Sequence, residues 1–215
     1  MDAPLEYNPT GTPRACMILM HGLGADGNDL FPLAAEIGGG EFRVVCPHAP
    51  VRAVTLNGGQ QMRAWYDIVG LDLADRQDRN GATESAVLIE QLLAAEYANG
   101  FRSENIFLAG FSQGAAMALH VGLHCPQRLA GIIALSGYLL FAETLADSIS
   151  AANQQTPIFQ AHGSLDPVVL PQWGHMTRDW LQEQGYPLEY HEYMMPHAIV
   201  PEEINAINRW CEKQC

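Results

Sequence analysis

LAGFSQGAAMALHVG, residues 108–122, places Ser112 between Gly110 and Gly114, with an apolar strand-like run before it and an apolar helix-like run after it. A chain that passes from strand to helix within so few residues must reverse sharply. That reversal forces the serine into a strained backbone conformation and leaves its hydroxyl exposed above the sheet. The flanking glycines are required because a Cβ there would strike the neighbouring strand or helix. The new helix also points its amino end at the serine, which favours negative charge there. A small-residue crossover, such as a nucleotide-binding turn, fits the same pattern, so the rest of the chain must supply partners.

A serine hydroxyl needs a base to take its proton and a third group to orient that base. On a strand-to-helix elbow the acid and then the histidine are expected downstream, on loops at the carboxyl ends of later strands. Asp166, in PIFQAHGSLDPVV, follows a strand and a loop, whereas Asp147 and Asp179 fall in helix-like stretches. His197, in MMPHAIVPEE, lies between the last strand and the last helix. His162 ends a strand ahead of the acid, and His175 and His191 sit in a helix and a strand pattern. His21, His48, His120 and His124 read as structural. Two backbone N–H groups would complete an oxyanion hole: Gln113, next to the serine, and Leu23 in the glycine-rich loop His21-Gly22-Leu23-Gly24.

Working outward, strand and helix signals alternate almost from end to end. CMILM (16–20), FRVVCP (42–47), NIFLAG, GIIALSG, TPIFQAHG and LEYHEYM (188–194) read as strands. NDLFPLAAEI (28–37) reads as a helix capped by Asn28 or Asp29, TESAVLIEQLLAAEYANG (83–100) as a helix capped by Thr83, and PQWGHMTRDWLQEQG (171–185) as a helix begun by Pro171. A closing helix follows from Pro201. Residues 48–82 have no clean period and read as a long excursion of the kind that forms binding loops. The alternation predicts a mostly parallel sheet covered by helices on both faces, in one α/β domain over residues 1–215.

Composition fits that domain: 215 residues, 48% hydrophobic and 16% charged. The net charge of −13, from 11 basic and 24 acidic residues, argues against nucleic acid and anionic membranes as partners. Five cysteines without a CxxC pair, two of them in strand-like runs, read as buried reduced thiols. No apolar run approaches the roughly 20 residues that span a bilayer, and the amino terminus lacks a signal-peptide pattern, so a cytoplasmic protein without stable membrane insertion is expected.

Taken together, LMHGLGADGNDL, PHAPVRAVTLNGGQQMRAWYDIVGLD, GFSQGAAMAL, ALSGYL, HGSLDPVV and PHAIVPEE resemble, in order and spacing, the phospholipase/carboxylesterase family of α/β-hydrolases. That family includes acyl-protein thioesterases and small bacterial carboxylesterases. The resemblance implies a single-domain α/β-hydrolase with a Ser112–Asp166–His197 triad and an oxyanion hole from Leu23 and Gln113. It implies hydrolysis of carboxylic ester or thioester bonds with no cofactor; the lack of an HExxH motif or a Cys/His cluster in the sequence argues against a metal. It places Met62, Trp65, Leu71 and Val168 beside the acyl group, although Trp65 reads equally well as core. Ala115 stands where a second glycine is common in the family, and Met195-Pro196 where small residues are usual.

The apolar residues of the excursion favour an acyl chain over a polar substrate, and the expected substrate is a small-molecule or lipid acyl ester of short to medium chain. An acyl-protein thioesterase acting on S-acylated protein, or a lysophospholipase, is the alternative for longer chains. A catalytically inactive binding module on the same fold is the rival of another class; its mark would be a missing serine, acid or histidine, and all three are present. A homodimer is compatible with the sequence.

Overall fold

The computed structural model describes residues 2–70 and 77–215. Leu71, expected beside the acyl group, lies outside them. The sheet has seven strands: β1 (Leu5–Tyr7), β2 (Ala15–Met20), β3 (Phe42–Cys46), β6 (Ile106–Phe111), β7 (Gly131–Leu135), β8 (Ile158–Gly163) and β9 (Leu188–Tyr193), in the order β1-β3-β2-β6-β7-β8-β9. β1 pairs antiparallel with β3, and every other pairing is parallel.

Because side chains alternate across a strand, each central strand feeds two cores. Cys16, Ile18 and Met20 of β2 and Ile106 and Leu108 of β6 face a core closed by α2 (Arg79–Ala98), α3 (Gln113–His124) and Leu181 of α5 (Pro171–Glu183). Met17, Leu19, Phe107 and Ala109 face the opposite core, closed by Leu30 of α1 (Gly27–Leu30) and by Ile204, Ile207 and Trp210 of α6 (Pro201–Glu212). β2, β3, β7 and β8 are buried along their whole length, which is why β2 and β7 read as unbroken apolar runs, while β3 and β8 bury the polar Arg43, Gln160 and His162. A short helix, α4 (Ala142–Leu145), follows β7. Among the described residues no helix is long and apolar enough to cross a membrane.

Three expectations need correction. The helix expected over 28–37 is one turn, α1, capped by Asp26, whose carboxylate accepts the Asn28 N–H at 2.8 Å. Starting there puts Pro32 where an α-helix needs an N–H donor, so the chain tightens into 3-10 turns at Phe31–Ala35 and Ile37–Gly40. The α2 helix begins at Arg79 rather than Thr83. Its cap is Asp78, which accepts the Gly81 N–H at 2.9 Å, while the Thr83 hydroxyl bonds back to the Arg79 carbonyl. The excursion is partly regular: β4 (Val51–Val54) and β5 (Gln60–Arg63) form an antiparallel hairpin.

Candidate active site

β6 ends at Phe111 and α3 begins at Gln113, so Ser112 alone makes the turn, at φ 56° and ψ −118°. A non-glycine residue held in such a region costs on the order of 1–3 kcal/mol, and the surroundings must over-determine it. They do: the Ser112 N–H donates to the Leu135 carbonyl of β7 (2.8 Å), and its carbonyl accepts from the Ala115 N–H (3.0 Å) and the Ala116 N–H (3.2 Å). A Cβ on Gly110 would overlap the Gly114 carbonyl, and one on Gly114 would overlap the carbonyl of Met20 at the end of β2. The hydroxyl caps none of the α3 amides, which leaves it available for chemistry.

Asp166 sits in the loop after β8, 2% exposed. Its Oδ1 accepts the N–H groups of Val168 (2.8 Å) and Val169 (3.0 Å), and its Oδ2 lies 2.6 Å from Nδ1 of His197. His197 lies in the loop between β9 and α6. Its ring stands 4.6 Å, centroid to centroid, from that of Phe111, the residue before Ser112. The loop reaches this position only because residue 163 is glycine, since a Cβ there would meet the backbone of Met195 and Pro196. Serine, carboxylate and imidazole therefore converge at the carboxyl ends of β6, β8 and β9. Among the described residues no hydrogen bond joins the Ser112 hydroxyl to His197.

Leu23 and Gln113 also lie at this end. Gln113 is the first residue of α3, where helix geometry leaves its N–H without an intrahelical acceptor. The Leu23 loop packs against the elbow: a Cβ on Gly22 would come 3.3 Å from Cβ of Ser112. A brace not foreseen from the sequence links the two. The Gln113 side chain accepts the Trp65 N–H at 2.8 Å and donates to the Tyr66 carbonyl at 2.7 Å. The Trp65 indole N–H donates to the His21 carbonyl at 2.9 Å, and the Trp65 carbonyl accepts from the Ser85 hydroxyl. His21 itself is fully buried, with Nδ1 2.7 Å from the Gly22 carbonyl and Nε2 accepting the Ala49 N–H at 3.0 Å. These partners fix the Nδ1–H tautomer, and burial lowers the imidazole pKa below its usual value.

Trp65, expected beside the acyl group, is fully enclosed and serves this brace, so its ring belongs to the core reading. Met62 lies in β5 beside the Leu23 loop, where the Gly24 N–H donates to the Arg63 carbonyl at 2.8 Å. Val168 is 66% exposed on the rim next to Asp166. A cavity of about 410 Å³ lies between the stretch after β7 and α5, walled by Tyr138, Leu139, Phe141, Trp173, Met176 and Trp180. It starts one residue from Gly137, which abuts the Ser112 carbonyl, and Ser112 is not among its walls. A larger cavity of about 650 Å³ lies away from this site, at Arg43 near the start of β3, whose guanidinium is bound to Glu96. Among the described residues no group of three or more His, Cys, Asp or Glu side chains is placed to hold a metal ion. All five cysteines are free, four of them buried.

The chain is similar to known proteins over nearly its whole length. The chain is 38% identical over 216 residues to acyl-protein thioesterase 1 of Neurospora crassa, covering 95% of this chain and 88% of that one. It is 37% identical over 209 residues to acyl-protein thioesterase 1 homolog 1 of Dictyostelium discoideum, covering 94% and 91%. The crystal structure of Zea mays acyl-protein thioesterase 2 superposes with a TM-score of 0.88 at 29% identity, over 98% of each chain. The sequence profile described as Phospholipase/Carboxylesterase matches residues 6–215, and the chain belongs to that family, as a serine hydrolase of ester or thioester bonds on an α/β-hydrolase fold.

Proposed function

We propose that Ser112 is the nucleophile, His197 the general base and Asp166 the group that orients it. The 2.6 Å contact from His197 Nδ1 to Asp166 beside a strained strand-to-helix serine carries this reading. Ser112 Oγ attacks the acyl carbon while Nε2 of His197 takes its proton. The N–H groups of Leu23 and Gln113 stabilise the oxyanion. The tetrahedral intermediate collapses as His197 returns the proton to the departing alcohol or thiol, leaving an acyl-serine. Water, deprotonated by the same imidazole, then releases the acid and restores the hydroxyl.

The substrates are acyl esters of short to medium chain, small molecules or lipids, with Met62 and Val168 against the acyl group and no cofactor. The Leu139, Phe141, Trp173, Met176 and Trp180 walls of the cavity next to Gly137, which Arg79 and Glu143 also line, support an acyl chain over a wholly polar substrate. The names of the Neurospora, Dictyostelium and maize relatives favour a second reading, an S-acylated protein as substrate. The buried free thiols fit a reducing, cytoplasmic setting. The exposed Leu165, Val168 and Met194 near Asp166 and His197 suit an apolar substrate or a second copy in a homodimer.

Hydrolysis of p-nitrophenyl esters from acetate to palmitate, beside a palmitoyl thioester and with Ser112→Ala in parallel, tests the proposal. Turnover falling with chain length and abolished in Ser112→Ala supports the ester reading. Turnover rising with chain length and strongest on the thioester favours the second. Undiminished turnover in Ser112→Ala excludes the assigned nucleophile.

A further inference from the structure

We propose that His162 is a positioning residue for the acid of the site, acting as an uncharged N–H donor that locks the turn holding Asp166. The inference rests on the hydrolase roles assigned above.

His162 is the last side chain of β8 before Gly163, four residues ahead of Asp166, and is fully buried. Its Nε2 lies 2.8 Å from the Val169 carbonyl and 3.6 Å from Oδ2 of Asp166. The same Val169 gives its N–H to Oδ1 of Asp166 at 3.0 Å. One residue is thus held at its carbonyl by His162 and holds the carboxylate at its amide. The Asp166 carboxylate lies between two imidazoles, His197 at 2.6 Å and His162 at 3.6 Å, both on Oδ2.

The protonation state follows from the surroundings. A carbonyl acceptor at Nε2 requires the proton there. Nδ1 is buried without a partner and packs on Gly174 of α5, where a Cβ would come within 2.5 Å of it. A second proton on Nδ1 would bury an N–H with no acceptor. The titratable groups that face the ring are Asp166 and His197, His175 of α5, and Glu192, which pairs with His162 in β9. Burial outweighs the Val169 carbonyl and the Asp166 carboxylate, which favour the charged form, and keeps the pKa below its usual value. The ring therefore locks the turn that holds Asp166, through the Val169 carbonyl, without placing a neutralising charge beside the carboxylate, which keeps its full effect on His197.

The test compares His162→Gln, which carries an N–H donor to the position of Nε2, with His162→Phe, which fills the space without a donor. Misplacing the acid by a fraction of an ångström predicts that His162→Phe loses on the order of 10- to 100-fold in kcat with KM little changed, and that His162→Gln recovers most of it. Should Phe not fit against Gly174, His162→Leu removes the donor with less bulk. The low-field ¹H NMR resonance of the His197 Nδ1–H is read in parallel: present in the wild type and His162→Gln, moved upfield or lost in the donor-free variants. Folded donor-free variants with wild-type kcat and an unmoved resonance overturn the proposal, as does a Gln variant no better than Phe. A wild type without esterase activity would count against the functional reading, while the resonance would still report on His162.

Discussion

Asp166 and His197 meet through a 2.6 Å Oδ2–Nδ1 contact although 31 positions separate them, and each reaches the contact from the loop after its own strand, β8 or β9. The carboxylate is tied down by two backbone amides, so the imidazole takes its orientation from a fixed point. Asp166→Asn keeps the shape but presents an amide that can donate to Nδ1, which favours the wrong tautomer. The expected result is a loss of kcat/KM on the order of 10³- to 10⁴-fold. Circular dichroism and thermal melting should show the fold retained, which separates this loss from unfolding.

Gln113 contributes through its side chain as well as its backbone. Gln113→Ala leaves the first α3 amide in place but deprives the buried Trp65 N–H of its acceptor and the Tyr66 carbonyl of its donor. An unsatisfied buried group costs about 1–3 kcal/mol, so melting should fall by several degrees. With the excursion no longer tied to the elbow, kcat should fall more than KM rises. Trp65→Phe, which removes only the indole N–H to the His21 carbonyl, should give a milder version of both effects. Wild-type kcat in Gln113→Ala would show that the brace does not set the site.

The elbow glycines make a steric prediction. In Gly114→Ala the new methyl meets the Met20 carbonyl and lies 2.7 Å from that of His21, backbone atoms of the end of β2 and of the loop that follows it. Neither can move without breaking the β2–β6 register that joins Met20 to Gly110. Destabilisation of about 3 kcal/mol or more is expected, measured by denaturant midpoint. Gly11→Ala, where nothing lies within 4 Å of the added methyl, should be nearly neutral.

Glu203, in the first turn of α6, is fully buried, and neither of its carboxylate oxygens has a hydrogen-bond partner. Burial pushes its pKa from the ordinary 4.5 to about 8. Between these values the unfolded chain has lost a proton that the folded chain keeps. The unfolded state then binds fewer protons, and stability falls as pH rises through that window. Glu203→Gln removes this dependence, so its melting temperature should gain on the wild type progressively from pH 4 to pH 8. A difference that stays constant across that range would contradict the assignment.

The elbow, Asp166 and His197 were legible because each is marked by a local pattern: paired glycines around a serine, or a polar residue in the loop between a strand and the next helix. The layered α/β fold was legible for the same reason, since buried parallel strands are continuous apolar stretches. What escaped is either short or long-range. β1 has three residues, too few for any period. The true start of α2 hides behind Gly81, accepted there because its neighbours Asp78 and Arg52 leave no room for a side chain. Gln113 reaches residues 47 and 48 positions away, so no local pattern announces its clamp. Trp65 illustrates the limit: a large apolar residue in a binding excursion reads equally as wall or as core, and burial decides for core.

The central claim is that Ser112 is the activated nucleophile, and covalent labelling tests it most directly. Intact-mass and peptide analysis after treatment with a fluorophosphonate should show one adduct per chain, on the peptide containing residues 108–122. The adduct should disappear in Ser112→Ala and form far more slowly in His197→Ala. An adduct on another residue, or undiminished labelling of Ser112→Ala, would contradict the account.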